Sequence, residues 1–153
     1  MTAFRFRLEK ALEWRRTQFE IEEAAYQREL AALAAVEHAQ VELEAAGAQA
    51  EVQIRDWKDV SGADLAALGG FRRGMEVRKT ELVALRADAA RKVMVRQATM
   101  LAAKKLYRLL ERLREKRLQE WLAAEQRELE AVASESYLAG YCRARTRHDR
   151  TSL

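Results

Sequence analysis

The sequence predicts an all-α protein, a long two-helix antiparallel coiled-coil hairpin, on three observations. First, its 153 residues include no proline, 34% are charged and 7% are aromatic. Long helices and coiled coils have this composition, rich in strong helix formers and poor in the large side chains of a globular core. Second, apolar residues recur at heptad spacing on both sides of a glycine-rich break. Third, the two arms flanking that break carry opposite charge.

The first arm opens FRFRLEKALEWRR, Phe4 to Arg16, where two phenylalanines alternate with arginines and run straight into an amphipathic pattern. A helix is expected over about 4–58. With Leu12 as position a of a heptad, the next a positions are Phe19, Tyr26, Leu33, Gln40, Gly47 and Ile54, and Leu8, Val36, Leu43, Ala50 and Trp57 fall at d. Leu12, Phe19, Tyr26 and Leu33 are four successive apolar a residues, the mark of a coiled-coil seam. The d residues Arg15, Glu22 and Glu29 are polar, so the seam is narrow or shared with a partner.

The pattern breaks in DVSGADLAALGGFRRG, Asp59 to Gly74. Glycines end helices and form tight connections, and Ser61 and Asp64 are candidate caps, which places the turn at about 59–70. From Phe71 the period resumes through Met75, Leu82, Leu85, Ala89, Ala103, Leu106, Leu110 and Leu113, then changes phase to Leu118, Leu122, Leu129 and Val132. The second helix is expected over about 71–138, followed by a frayed basic tail, about 139–153, that starts near Gly140.

Residues 17–51 hold eight acidic side chains and one basic, and residues 72–117 hold fifteen basic and five acidic. Folding about residue 64 pairs position i with roughly 128 − i and lays the acidic arm along the basic one. This register sets Trp57 near Phe71 at the turn, and Phe6 and Leu8 near Trp121 and Leu122 at the open end, with Arg5 and Arg7 outward. Residues beyond about 124 overhang as a single helix. Arms of roughly 55 residues make a rod about 80 Å long and about 20 Å across.

Such a rod offers little of the concavity an enzyme needs. His38 and His148 fall far apart in this register, and Cys142 has no histidine placed to activate it. GGFRRG, Gly69 to Gly74, lacks the Gly-Lys-Ser/Thr ending of a phosphate loop and follows no strand. No His, Cys or Asp cluster has metal spacing. Neither a cofactor nor a metal is expected, and the abundant carboxylates read as a solvated face. The longest apolar run, Leu30 to Val36, is far below the roughly 20 residues that span a bilayer. With a single cysteine besides, a cytoplasmic protein is expected.

The stretch KKLYRLLERLREKR, Lys104 to Arg117, has seven positive and two negative residues. It could serve as a phosphate-binding stripe on nucleic acid or lie on a membrane surface. Against both, Leu106, Leu110 and Leu113 make it half of the seam, facing an acidic arm.

The N-terminal stretch resembles that of the flagellar FliJ family, whose members begin with an aromatic-basic-aromatic-basic-Leu-Glu-x-x-Leu pattern and an arginine shortly after. Here those positions are Phe4, Arg5, Phe6, Arg7, Leu8, Glu9, Leu12, Arg15 and Arg16. The second arm is similar in Ala102, Ala103, Lys104 and Lys105, then Leu110, Glu111, Arg112 and Leu113, then Glu125 and Glu128. Of the family's late Leu-Asp-Glu motif only Glu135 survives, after Val132, Ala133 and Ser134.

This resemblance implies a non-enzymatic component of the bacterial flagellar type III export apparatus. The open end of its hairpin engages the hexameric export ATPase, and other parts meet the export gate membrane protein and export chaperones. The ATPase-facing candidates are Phe4, Phe6, Leu8, Leu12, Arg15 and Arg16 with Arg117, Trp121, Glu125 and Glu128. Arg15 stands out as a charge at a d position. For the gate or chaperones the candidates are Tyr26, Leu33, Phe71, Met75 and Leu82, each of which also reads as internal packing. The implied location is the cytoplasm, peripheral to the membrane at the export apparatus. The alternatives are a stalk protein of a virulence-type secretion system, a nucleic-acid-binding coiled coil and a self-associating structural coiled coil.

Overall fold

The computed structural model describes residues 3–151, with side chains through Arg145. Two helices account for nearly all of them, α1 (Glu9–Arg55) and α2 (Gly62–Thr151), and they pack as an all-α hairpin. The chain divides into two compact units, Met1–Trp14 with Leu106–Leu153, and Arg15–Lys105.

The Arg15–Lys105 unit contains the turn, at residues 56–61, earlier and shorter than the expected 59–70. Asp56 and Trp57 donate their N–H groups to the carbonyls of Gln53 and Ile54, each at 3.2 Å, tightening the last turn of α1. Ser61 then caps α2 reciprocally. Its hydroxyl accepts from the Asp64 N–H at 3.2 Å, and the Asp64 carboxylate accepts from the Ser61 N–H at 2.9 Å and from its hydroxyl at 2.6 Å. This is a capping box with aspartate in place of the usual glutamate. Asp64 is consequently held below its ordinary value of 3.8, first by the Ser61 hydroxyl and then by the Ser61 backbone.

The glycines expected to make the turn are helical. Gly62, Gly69, Gly70 and Gly74 all lie within α2, and no glycine among the described residues has positive φ. A helical glycine costs roughly 1 kcal/mol relative to alanine. Here Leu68 and Met75, both half-buried against α1, hold the first turns of α2 in place. Nor does Gly140 end α2, which runs on where a frayed tail was expected. It is flanked by Leu138, Ala139 and Arg143 without a proline, so helix propagation carries through.

Burial along α1 follows the heptad frame. Within this unit Arg15, Phe19, Glu22, Tyr26, Glu29, Leu33, Val36, Gln40, Leu43, Gly47, Ala50 and Ile54 are all half-buried. The polar d residues therefore lie in the seam itself. Facing them on α2 are Leu68, Met75, Leu82, Ala89, Val93, Met100 and Ala103. Leu82 is the most buried, at 3% exposure, whereas Phe71 and Leu85 stand 43% and 49% exposed at its edge.

Glu37 pairs with Arg86 at 3.0 Å and Glu22 with Arg96 at 3.9 Å. Lys104 Nζ sits 6.0 Å from the centre of the Phe19 ring. The acidic arm thus lies on the basic one, as the charges predict, but in a different register. The expected pairing set Glu37 near residue 91. Its true partner lies about one and a half helical turns closer to the bend, because α2 begins nine residues earlier than expected, at Gly62 instead of Phe71.

In the other unit α1 begins at Glu9 instead of near residue 4. The Glu9 N–H donates to the Phe6 carbonyl at 3.2 Å and that of Leu12 to the Leu8 carbonyl at 2.9 Å. Leu8 supplies no side-chain cap, but Glu9 in the first turn favours the positive end of the helix dipole. Leu12 is buried. On α2 Tyr107, Leu110, Glu111, Leu113, Leu118, Trp121 and Glu125 are half-buried, and residues 126–145 are exposed throughout.

Candidate partner-binding surface

Residues 3–6 precede a turn at 7–8 and line a groove with α2, and Phe4 to Arg7 alternate in burial: Phe4 and Phe6 are half-buried, Arg5 and Arg7 exposed. The alternation of burial, apolar inward and basic outward, accounts for the opening FRFR. The Phe4 and Trp121 rings meet at a centroid distance of 6.1 Å, tilted by 57°, within the range of an attractive aromatic pair. Phe4, Phe6 and Leu8 share an open groove of about 980 Å³ with Leu113, Arg117, Glu120 and Trp121. Phe6 and Leu8 thus lie in one groove with Trp121, as the sequence predicts, but the ring that meets Trp121 is that of Phe4. Leu122 is 41% exposed.

Arg114 binds Glu9 at 3.1 Å, and Arg117 binds Glu120 on its own helix at 2.9 Å. Arg108 binds Glu111 at 2.8 Å. Three of the seven cations of the basic stretch are therefore paired within the molecule, which reduces what it offers to a phosphate backbone. The cationic surface around the groove comes instead from Arg5 and Arg7.

Among the ATPase-facing candidates, this unit brings together Phe4, Phe6, Leu8, Arg117 and Trp121. Leu12 is buried and acts by holding the helices together. Glu125 is half-buried and Glu128 exposed on α2. Arg15 and Arg16 belong to the other unit. Arg16 pairs with Glu20 at 3.1 Å. Arg15 is half-buried and has an interaction of its own within the molecule, so its d-position charge does not by itself call for an outside partner.

Trp14 escaped the sequence reading. It lies at position c, outside the seam, and is 54% exposed. Its signal was available: a tryptophan off the apolar stripe of an amphipathic helix stands out, and tryptophan is enriched at interface hot spots.

The gate and chaperone candidates all lie in the Arg15–Lys105 unit. Tyr26 and Leu33 are seam residues, and Leu82 is spent on internal packing. Phe71 and Met75 instead border an open groove of about 520 Å³ near the turn, with Leu43, Gly47, Ile54 and Leu68. A Cβ on Gly47 would stand 3.0 Å from Met75 Cε, so the glycine lets the methionine lie close against α1. Trp57 and Phe71 line a neighbouring hollow, as the sequence predicts.

Among the described residues no group of His, Cys, Asp and Glu could hold a metal, and no helix is long and apolar enough to cross a membrane. His38 lies 3.5 Å from Glu42 on its own helix, and the His148 side chain is outside the described residues. Comparison with models of known protein families, with curated proteins and with solved structures finds no match.

Proposed function

We propose that this chain is a non-enzymatic, shaft-like component of the bacterial flagellar type III export apparatus, of the FliJ kind. In this reading it works in the cytoplasm at the membrane-associated export machinery, where it binds and stimulates the hexameric export ATPase. The observation that carries the reading is the arrangement of residues 3–8. Of the residues on which the resemblance rests, Phe4, Phe6 and Leu8 line one groove with Trp121, the Phe4 ring meets that of Trp121, and Arg5 and Arg7 are exposed beside it. Exposed Leu8 and Trp14 add apolar contact area in the same unit, and an aromatic anchor rimmed by arginine is a common composition for a protein-binding hot spot. The groove at Phe71 and Met75 is the surface we assign to the export gate or chaperones.

The test is ATP hydrolysis by the cognate flagellar export ATPase at fixed concentration, with and without this protein, and with the Arg5→Ala/Arg7→Ala variant, which removes two side chains exposed beside the groove. Stimulation by the wild type, lost in a variant that keeps its helicity, is the expected result. Absence of both binding and stimulation would overturn the reading.

A further inference from the structure

The groove at Phe71 and Met75 is walled by opposite charges that do not meet. With Met75 at position a of α2, Arg72, Lys79 and Arg86 fall at e, as Glu37, Glu44 and Glu51 fall at e of α1. Glu37 and Arg86 close into an ion pair at 3.0 Å. The same antiparallel register sets Glu44 opposite Lys79 and Glu51 opposite Arg72. Among the described residues neither of these two pairs closes. The four side chains are all exposed, and they line the two walls of the open groove of about 520 Å³, over a floor that includes Gly47, Leu68 and Met75. Glu76 also borders the groove, but it falls roughly 40–60° further round α2 than Arg72 and Lys79, on the outer shoulder of that wall.

The spacing of the charges selects a helix as the occupant. Along each wall they stand seven residues apart, or about 10.5 Å, the interval at which flanking side chains of a heptad-patterned helix recur. Side chains on one face of an extended chain recur roughly every 6.7 Å and fall out of step. The opposed walls also turn away a ligand of a single charge, since a polyanion drawn to Arg72 and Lys79 is repelled by Glu44 and Glu51. A third helix meets both conditions. Its apolar ridge lies on the floor, where Gly47 and Ala48 leave room for large side chains, with basic residues on the flank against α1 and acidic residues on the flank against α2.

We propose that this groove docks an amphipathic helix of a partner protein whose two flanks carry opposite charge at heptad spacing, completing a three-helix bundle with α1 and α2. The proposal rests on the reading above only in taking this groove as a partner surface, and adds the chemistry by which the partner is recognised. From Glu44 to Ile54 the α1 wall runs for about 15 Å, a contact at the small, transient end of protein interfaces.

Fluorescence anisotropy of labelled three-heptad peptides against the full chain tests the proposal. All have leucine at a and d and are used where each is monomeric; one has lysine at e and glutamate at g, one lysine at both and one glutamate at both. The mixed peptide is expected to bind the wild type at least about tenfold more tightly than either uniform peptide, and less tightly as salt rises. Glu44→Lys with Glu51→Lys makes both walls basic and should transfer the preference to the all-glutamate peptide. Arg72→Glu with Lys79→Glu makes both walls acidic and should transfer it to the all-lysine peptide. All four substitutions fall at exposed positions, and circular dichroism checks that each variant keeps its helicity. Equal affinity for the three peptides, or binding of none, would overturn the proposal. So would a preference that neither wall variant moves, which places the peptide elsewhere on the chain. Absence of ATPase stimulation with the peptide preference intact would overturn the proposed function alone, and the reverse result this proposal alone.

Discussion

The Glu22 carboxylate projects into the seam at a d position, with one oxygen buried and without a hydrogen bond, 3.9 Å from the Arg96 guanidinium. That separation permits attraction but not the hydrogen bond that would repay desolvation of the carboxylate. Arg96 remains 47% exposed, so removing its partner leaves no stranded cation. Glu22→Leu should therefore stabilise the hairpin by about 1 kcal/mol, read from urea unfolding. A loss of stability would mean that the ion pair outweighs its desolvation.

The cap at Ser61 sets the start of α2 immediately after the turn. Ser61→Ala removes the hydroxyl that accepts from Asp64 N–H and should cost about 1 kcal/mol. An unchanged denaturation midpoint would show the turn to be held by packing alone.

Stability should fall at acid pH in part through the same cap. Asp64 is lowered in the folded state by Ser61, and Asp88 by Lys92 and Arg91. Each favours folding fully above its ordinary value of 3.8 and loses that contribution as pH falls through its lower folded value. Asp64→Asn should flatten this acid limb in a pH series of thermal unfolding. An acid limb of wild-type steepness would refute the assignment.

Gly70 and Gly74 are helical, and a Cβ at either would meet nothing within 4 Å. Changing either to alanine should stabilise the chain by roughly 0.5–1 kcal/mol through helix propensity alone. If both variants instead lose stability, close approach of another backbone is the reason to look for.

Phe4→Ala and Trp14→Ala should separate packing from partner contact. The first removes a ring that meets Trp121 and should destabilise the open end by about 1–2 kcal/mol, seen as faster hydrogen exchange over residues 9–14. The second alters a largely exposed ring. It should leave unfolding within about 0.5 kcal/mol of wild type, and if the proposed function holds it should reduce stimulation of the export ATPase.

The heptad frame was legible because a seam needs only a period, and the half-buried positions from Arg15 to Ile54 follow the frame set by Leu12. The turn and the register were less so. Four glycines between residues 62 and 74 look like a break, since each costs a helix roughly 1 kcal/mol, yet neighbours packed on α1 override that cost. Once the turn is misplaced the register moves with it, because complementary charges are spread so evenly along the arms that several registers satisfy them. At the open end the alternation of Phe4 to Arg7 was readable. The choice of Phe4 over Phe6 to meet Trp121 was not, because it depends on where α1 begins.

The contacts between the helices also prescribe an order of assembly. Near the bend Gly47 meets Met75. Glu37 meets Arg86 across 49 positions of sequence, and Glu9 meets Arg114 across 105. Each doubling of the enclosed loop adds only about 0.6 kcal/mol of closure entropy, and every pair formed shortens the free chain left for the next. The hairpin should fold as a zipper from the Ser61 cap outward, quickly for its length. The contact between Phe4 and Trp121 would then form last and open first.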